Sequence, residues 1–185
     1  MLRQIAYQGA PGAFGEEACR RFLPDWEPNP LPTFAAVAEA VRSGEAERGM
    51  LPVRNSTAGP VPGVEALIRD NRLLVVGRHA LEVRLHLMGV RGGRFEDITR
   101  VASHPMALAQ SARWISARGL EREEAANTAL AAQALASSGD RTLGVIASEA
   151  AAITYGLVIL MRDIQDRDDN VTTFCVVGPS GGGEI

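Results

Sequence analysis

"IAYQGAPGAFGEEACRRFL" (residues 5–23) begins with a short apolar run, breaks at a glycine- and proline-rich loop and resumes with helical character. A strand over 5–7 followed by a helix over 14–23 is the unit this spacing predicts, because Gly9, Pro11 and Gly12 interrupt any regular period between them. The unit recurs along the chain. A second helix is expected over 34–41, then strands at GMLPV (49–53), LLVVG (73–77), LHLMGV (85–90) and ITRVAS (98–103). The stretch MALAQSARWISARG (106–119) reads as one helix closed by Gly119, and an alanine-rich helix follows Asn127 to about residue 138. TLGVIAS (142–148) is a strand, 149–155 a helix, and VTTFCVVG (171–178) a terminal strand. Alternating βα units predict an α/β fold on a largely parallel sheet, organised as one compact unit.

With 185 residues, 46% of them hydrophobic, the chain can bury a sizeable core without disulfides or metals. A formal charge of -3 offers no basic excess, so neither nucleic acid nor an anionic membrane is expected as a partner; a small anionic ligand stays open, because a local pocket need not follow net charge. Cys19 and Cys175 are far apart and are read as reduced core residues. No stretch reaches the ~18–20 apolar residues of a membrane helix, and the amino terminus lacks an apolar signal core; the cytoplasm is the expected compartment. PSGGGEI (179–185) has the composition of a flexible tail.

Polar motifs fall at the ends of the expected strands, where ligands sit in open parallel sheets. The glycines at 9, 12 and 15 do not match a dinucleotide or P-loop pattern; a tight turn and a set of amides for a carboxylate both fit Ala10, Pro11 and Gly12. In SHPMALAQ (103–110), Ser103 or His104 caps a helix with Pro105 at its first position, and His104 could equally serve as an acid or base. His79 and His86 have no metal-ligand spacing, and Asp166, Asp168 and Asp169 lack the EF-hand pattern, so no metal is expected. Asn170, Thr172 and Thr173 begin the last strand, and alternation allows only one of the two threonines to face a site.

In combination, GAPGAFGEEA (9–18), PVRNSTAG (52–59), VASHPMALAQ (101–110), NTALAA (127–132), VIASEAAAITYGL (145–157) and IQDRDDNVTTF (164–174) resemble the prephenate dehydratase catalytic domain across nearly the whole chain. The resemblance implies two βα lobes flanking a cleft, similar to type 2 periplasmic binding proteins. The lobes would span about 1–77 with 168–178, and about 78–167. It implies the conversion of prephenate to phenylpyruvate with loss of carbon dioxide and water, without metal or organic cofactor, by a homodimer or homotetramer. A phenylalanine-sensing ACT domain usually follows in the family; the sequence stops short of it, so that regulation is expected either to be missing or to belong to a longer form of the chain.

Carried onto this chain, the resemblance implies Thr172 as hydrogen-bond donor to the departing ring hydroxyl, with Asn55 and Ser56, Ser103 and His104, and Asn127 with Thr128 matching the family's binding loops; Asn170 starts the same terminal motif. Two positions depart from the pattern. Arg54 stands where the loop normally carries Glu, and Thr173 where the Thr-Arg-Phe motif carries Arg. The expectation is that Arg54 has taken over as clamp for the side-chain carboxylate of the substrate, with solvent as its other destination. Alternatives on the same fold are a prephenate decarboxylase that keeps the hydroxyl and a non-catalytic sensor; prephenate and arogenate, which differ by a keto or amino group, are not distinguished by these residues.

Overall fold

The computed structural model describes residues 3–181; the last residues of the expected tail, 182–185, lie outside them. The chain forms two compact units. The first comprises described residues 3–10, 14–82 and 171–181, and the second comprises Pro11–Ala13 and Val83–Asn170. The unit boundary falls after Glu82 rather than near residue 77. The strand beginning at Leu73 continues to Glu82 because its neighbour continues to pair with it that far.

In the first unit, β1 (Arg3–Gln8) leads through the Gly/Pro loop to α1 (Phe14–Phe22). β2 (Trp26–Leu31), α2 (Phe34–Ser43), β3 (Arg48–Asn55), the two-residue β4 (Gly59–Pro60), α3 (Val64–Asp70) and β5 (Leu73–Glu82) follow. The last strand of the chain, β11 (Val171–Pro179), returns to this unit, and the sheet order is β2-β1-β3-β11-β5 with β4 attached to β3. β1 pairs in parallel with β2 and β3, whereas β11 is antiparallel to both its neighbours, so the sheet is mixed rather than largely parallel. Thr33 caps α2 by accepting from the Ala36 N–H (3.0 Å). Val37, Ala38 and Val41 of α2 then pack in one buried cluster with Leu51 and Val53 of β3 and Cys175 and Val177 of β11. Both cysteines are buried and unbridged, and burial pushes the Cys19 thiol up to about 12.

The second unit contains β6 (His86–Gly89), a 3-10 turn (Phe95–Asp97), β7 (Arg100–Ser103), α4 (Pro105–Gln110), α5 (Ala112–Ser116) and β8 (Glu121–Glu124). It closes with α6 (Thr128–Ser138), β9 (Leu143–Ala147), α7 (Glu149–Tyr155) and β10 (Val158–Met161), giving a sheet of order β10-β6-β9-β7-β8. Two departures from the sequence reading have local causes. The single helix expected over 106–119 is split at Ser111, because the Asp166 carboxylate accepts from the N–H groups of Arg113 (3.0 Å) and Trp114 (3.3 Å) while its own N–H donates to the Gln110 carbonyl (2.7 Å). One aspartate therefore caps the start of α5 and the end of α4. Gly119, at φ 63, closes the turn three residues after α5 has ended. Strands β2 and β8 escaped notice because WEPNPL and EREE carry no apolar alternation; both are edge strands, where proline and charge are tolerated.

Candidate active site

In the first unit the polar stretch after β3 is built around one side chain. The Asn55 amide oxygen accepts from the N–H groups of Thr57 (2.9 Å) and Ala58 (3.0 Å) and from the Thr57 hydroxyl (2.6 Å), an Asx turn that holds the loop. Backbone donors require an oxygen, so the amide's orientation is forced and its Nδ2 is the atom facing β11. That nitrogen donates to Thr172 Oγ1 at 3.0 Å. Thr172 thus uses a lone pair on Asn55 and keeps its own proton for another acceptor. Ser56, exposed, ties the same loop to β11 by accepting from the Val171 N–H (2.8 Å) and donating its own N–H to the Val171 carbonyl (2.8 Å).

The register of β3 and β11 sets Thr172 opposite Asn55 and Thr173 opposite Arg54. Positions 54 and 173, where the sequence departs from the family pattern, are therefore cross-strand partners. Successive side chains point to opposite faces of a sheet, so Arg54 and Thr173 share the face that Asn55 and Thr172 do not use. Arg54 is thus the neighbour of position 173 and not of Thr172. The guanidinium is exposed and makes no ion pair among the described residues.

In the second unit, three of the expected residues are structural. Ser103 is fully buried and its hydroxyl donates to the Ile146 carbonyl of β9 (2.5 Å), so it ties β7 to β9 and is unavailable to a ligand. Asn170, 2% exposed, exchanges amide hydrogen bonds with Gln110 (3.1 and 3.4 Å). Asn127 caps α6 by accepting from the Leu130 N–H (2.7 Å). Thr128 follows at the first position of that helix, largely buried, and its hydroxyl has no hydrogen-bond partner among the described residues.

His104 is the N-cap of α4, with Pro105 at the first helical position, and its Nδ1 accepts from the Met106 N–H (3.1 Å). Acceptance at Nδ1 puts the ring proton on Nε2, which makes the neutral imidazole a donor on its outer edge. Burial lowers its pKa below the ordinary 6.5, against a smaller raising effect of Glu124. The buried His86 is lowered in the same way, and its Nδ1 accepts from the Asp163 N–H (3.1 Å). Both rings bind a proton more readily in the unfolded chain, so their stabilisation is complete above the ordinary value and is lost as pH falls through the lowered one. Urea midpoints should therefore drop between about pH 7 and pH 5, and His104→Asn, which caps without titrating, should flatten part of that slope.

The loop 10–13 is organised by residues of the VIASEAAAITYGL motif that the sequence did not single out individually. Ser148, the N-cap of α7, donates to the Gly12 carbonyl (2.6 Å) and accepts from the Ala151 N–H (3.1 Å), and the Tyr155 hydroxyl donates to the Pro11 carbonyl (2.8 Å). With these two carbonyls taken, Pro11 remains exposed and Ala10 half-buried. Only the motif SEAA, a capping serine before helix formers, could have flagged Ser148. Among the described residues no group of three or more His, Cys, Asp or Glu side chains could hold a metal ion, and no helix is long and apolar enough to cross a membrane.

Known proteins share this architecture and sequence. A profile of the prephenate dehydratase family matches residues 5–181. A bifunctional N-acyl-homoserine lactone acylase/prephenate dehydratase of Komagataeibacter europaeus is 39% identical over 94% of this chain and 62% of its own length, and arogenate dehydratase 2 of Petunia hybrida is 40% identical over 94% and 44%. The chain thus spans about half the length of these curated relatives. The crystal structure of a prephenate dehydratase from Arthrobacter aurescens, in complex with L-Phe, superposes with a TM-score of 0.89 at 26% identity, covering 98% of this chain and 62% of that one. At the level of the fold alone, a periplasmic substrate-binding protein of an ABC transporter from Coxiella burnetii matches with a TM-score of 0.50 at 13% identity, over 96% and 85% of the two chains. The match runs through both units and through every polar motif described above, and the chain belongs to the prephenate dehydratase family.

Proposed function

We propose that this chain catalyses the decarboxylative dehydration of prephenate to phenylpyruvate, a carbon-oxygen lyase step in phenylalanine biosynthesis, as a homodimer or homotetramer. The bond to the ring carboxylate breaks, its electron pair enters the ring and expels the ring hydroxyl, and the departing oxygen takes up a proton to leave as water. Aromaticity drives the step, so the protein's task is to hold the diacid and to stabilise negative charge on the leaving oxygen. Thr172 is the donor to that oxygen. The observation that carries this reading is the Asn55 Nδ2 to Thr172 Oγ1 hydrogen bond, which leaves the threonine proton free and the hydroxyl oriented. Ser56, on the same loop of the first unit, is the neutral group we assign to holding the substrate.

The test is to incubate the purified chain with prephenate and follow phenylpyruvate by its absorbance in alkali, with arogenate and phenylalanine formation in parallel. Turnover of either substrate to its aromatic product supports the lyase reading and selects the substrate. A decarboxylated product that retains the hydroxyl, or saturable binding without product, would replace it with the decarboxylase or the sensor. Because Arg54 lies on the other face of the strand pair, Arg54→Ala should leave kcat/KM within about threefold of the parent, a change under 1 kcal/mol. The double replacement Arg54→Glu and Thr173→Arg should add about 0.2–1 kcal/mol of stability through a cross-strand ion pair, read from denaturant midpoints.

A further inference from the structure

At the amino-terminal ends of β1, β2 and β3 the register of the first sheet gathers two cations around one aromatic ring. Arg3 is the cross-strand partner of Trp26, and Ile5 is that of Arg48. Arg3 and Ile5 are two residues apart on β1, so Arg3, Trp26 and Arg48 lie on one face. The guanidinium carbon of Arg3 stands 5.4 Å from the centre of the Trp26 ring, and that of Arg48 stands 5.7 Å from it. Trp26 and Arg48 are half-buried and Arg3 is exposed.

One guanidinium over an indole is a common structural contact. A second on the same ring sets like charge beside like, and neither Arg3 nor Arg48 makes an ion pair among the described residues. Arg48 is held in place with donors to spare. Its Nη1 donates to the Glu47 carbonyl (2.8 Å), whereas its buried Nε has no hydrogen-bond partner among the described residues. A buried donor without an acceptor in the protein is a group that an outside acceptor can satisfy. Gly178 of β11 makes room for this guanidinium, since a Cβ there would stand 3.0 Å from Arg48 Nη1 and 3.3 Å from its Cζ.

We propose that Arg3, Trp26 and Arg48 form a binding site for a small molecule carrying a phosphate group. The two guanidiniums present separate forks, and a tetrahedral dianion has oxygens for both, whereas a planar carboxylate fills only one. Trp26 holds the two cations near each other before the anion joins them. A small swing of the Arg48 side chain on binding gives its Nε–H an acceptor. The site is separate from the residues assigned to the reaction: Asn55, which holds Thr172, lies at the other end of β3, seven residues and about 23 Å from Arg48. It stands independently of that reaction.

Tryptophan emission tests it, because the chain has two tryptophans and Trp114→Phe leaves Trp26 as the reporter. Titrating that protein with inorganic phosphate or pyrophosphate, at an ionic strength held constant with chloride, should give a saturable change in Trp26 emission. Arg3→Gln and Arg48→Gln should each raise the dissociation constant by about tenfold or more. Arg3 is exposed, so Arg3→Gln should keep the far-ultraviolet circular dichroism of the parent and the test holds even where Arg48→Gln fails to fold. Arg48→Lys, which keeps the charge and loses the fork, should recover little of the affinity. A response that chloride alone reproduces, or one indifferent to Arg3→Gln, would overturn the proposal. Succinate bound as tightly as phosphate would overturn the assignment to a phosphate group.

Discussion

Replacing Thr172 with valine is expected to lower kcat on the proposed substrate by about 10² to 10³, with little change in KM, the cost of removing one preorganised donor to a developing oxyanion. Valine keeps the shape of threonine, so the fold should survive and the loss should be confined to the chemical step. Thr172→Ser should retain much of the activity because the hydroxyl remains. A sharper variant is Asn55→Asp. A carboxylate can still accept from Thr57 and Ala58 and keep the Asx turn, but it cannot donate to Thr172 Oγ1 as the Asn55 amide does. The threonine proton would then be drawn to the carboxylate, reversing the hydrogen bond and withdrawing the donor from the substrate. Activity of Asn55→Asp should fall to within about tenfold of Thr172→Val. An Asn55→Asp protein as active as its parent would mean that the direction of this bond is irrelevant to catalysis.

Gly12→Ala should be the most damaging single-methyl change in the chain. Gly12 sits at φ +86, where a side chain is strained, and a Cβ there would stand 2.6 Å from the Ala151 Cα, a backbone atom of α7 that cannot swing aside. Left-handed strain and overpacking together amount to about 2–6 kcal/mol. For a chain of this size that corresponds to a fall of roughly 5–20 °C in Tm, measured by thermal unfolding. Gly59→Ala separates the two causes. Gly59 has nearly the same φ, +84, and nothing within 4 Å of the built Cβ, so it should show only the strain, about 1 kcal/mol. Equal effects at the two sites would show that the contact with α7 contributes nothing.

The polar motifs were legible because their residue types are rare at strand ends without a reason. Asn, Ser, Thr and Gly after an apolar run announce a turn that uses side-chain oxygens, and the Asx turn of Asn55 is that turn. Ser103 and Asn170 show where that signal stops. A polar residue beside a motif looks like a ligand contact, and only burial distinguishes one that satisfies the protein's own carbonyls and amides. The face on which Arg54 lies could not be read locally, because it follows from the β3–β11 register, which pairs Arg54 with Thr173 and Asn55 with Thr172.

Local order was written in the sequence itself: the βα alternation and the caps at Thr33, His104, Asn127 and Ser148 depend on residues within a few positions of one another, and the resemblance that identifies the family on the order of such short motifs along the chain. What depended on distant residues was decided only by the tertiary structure. Asp166 splits a helix some 55 residues before it, β11 returns antiparallel between β3 and β5, and Asn55 meets Thr172 across |i−j| of 117. Hydrogen bonds of that span exist only after the chain has closed its long loops, and no local pattern encodes which donor a closing strand will bring to which acceptor.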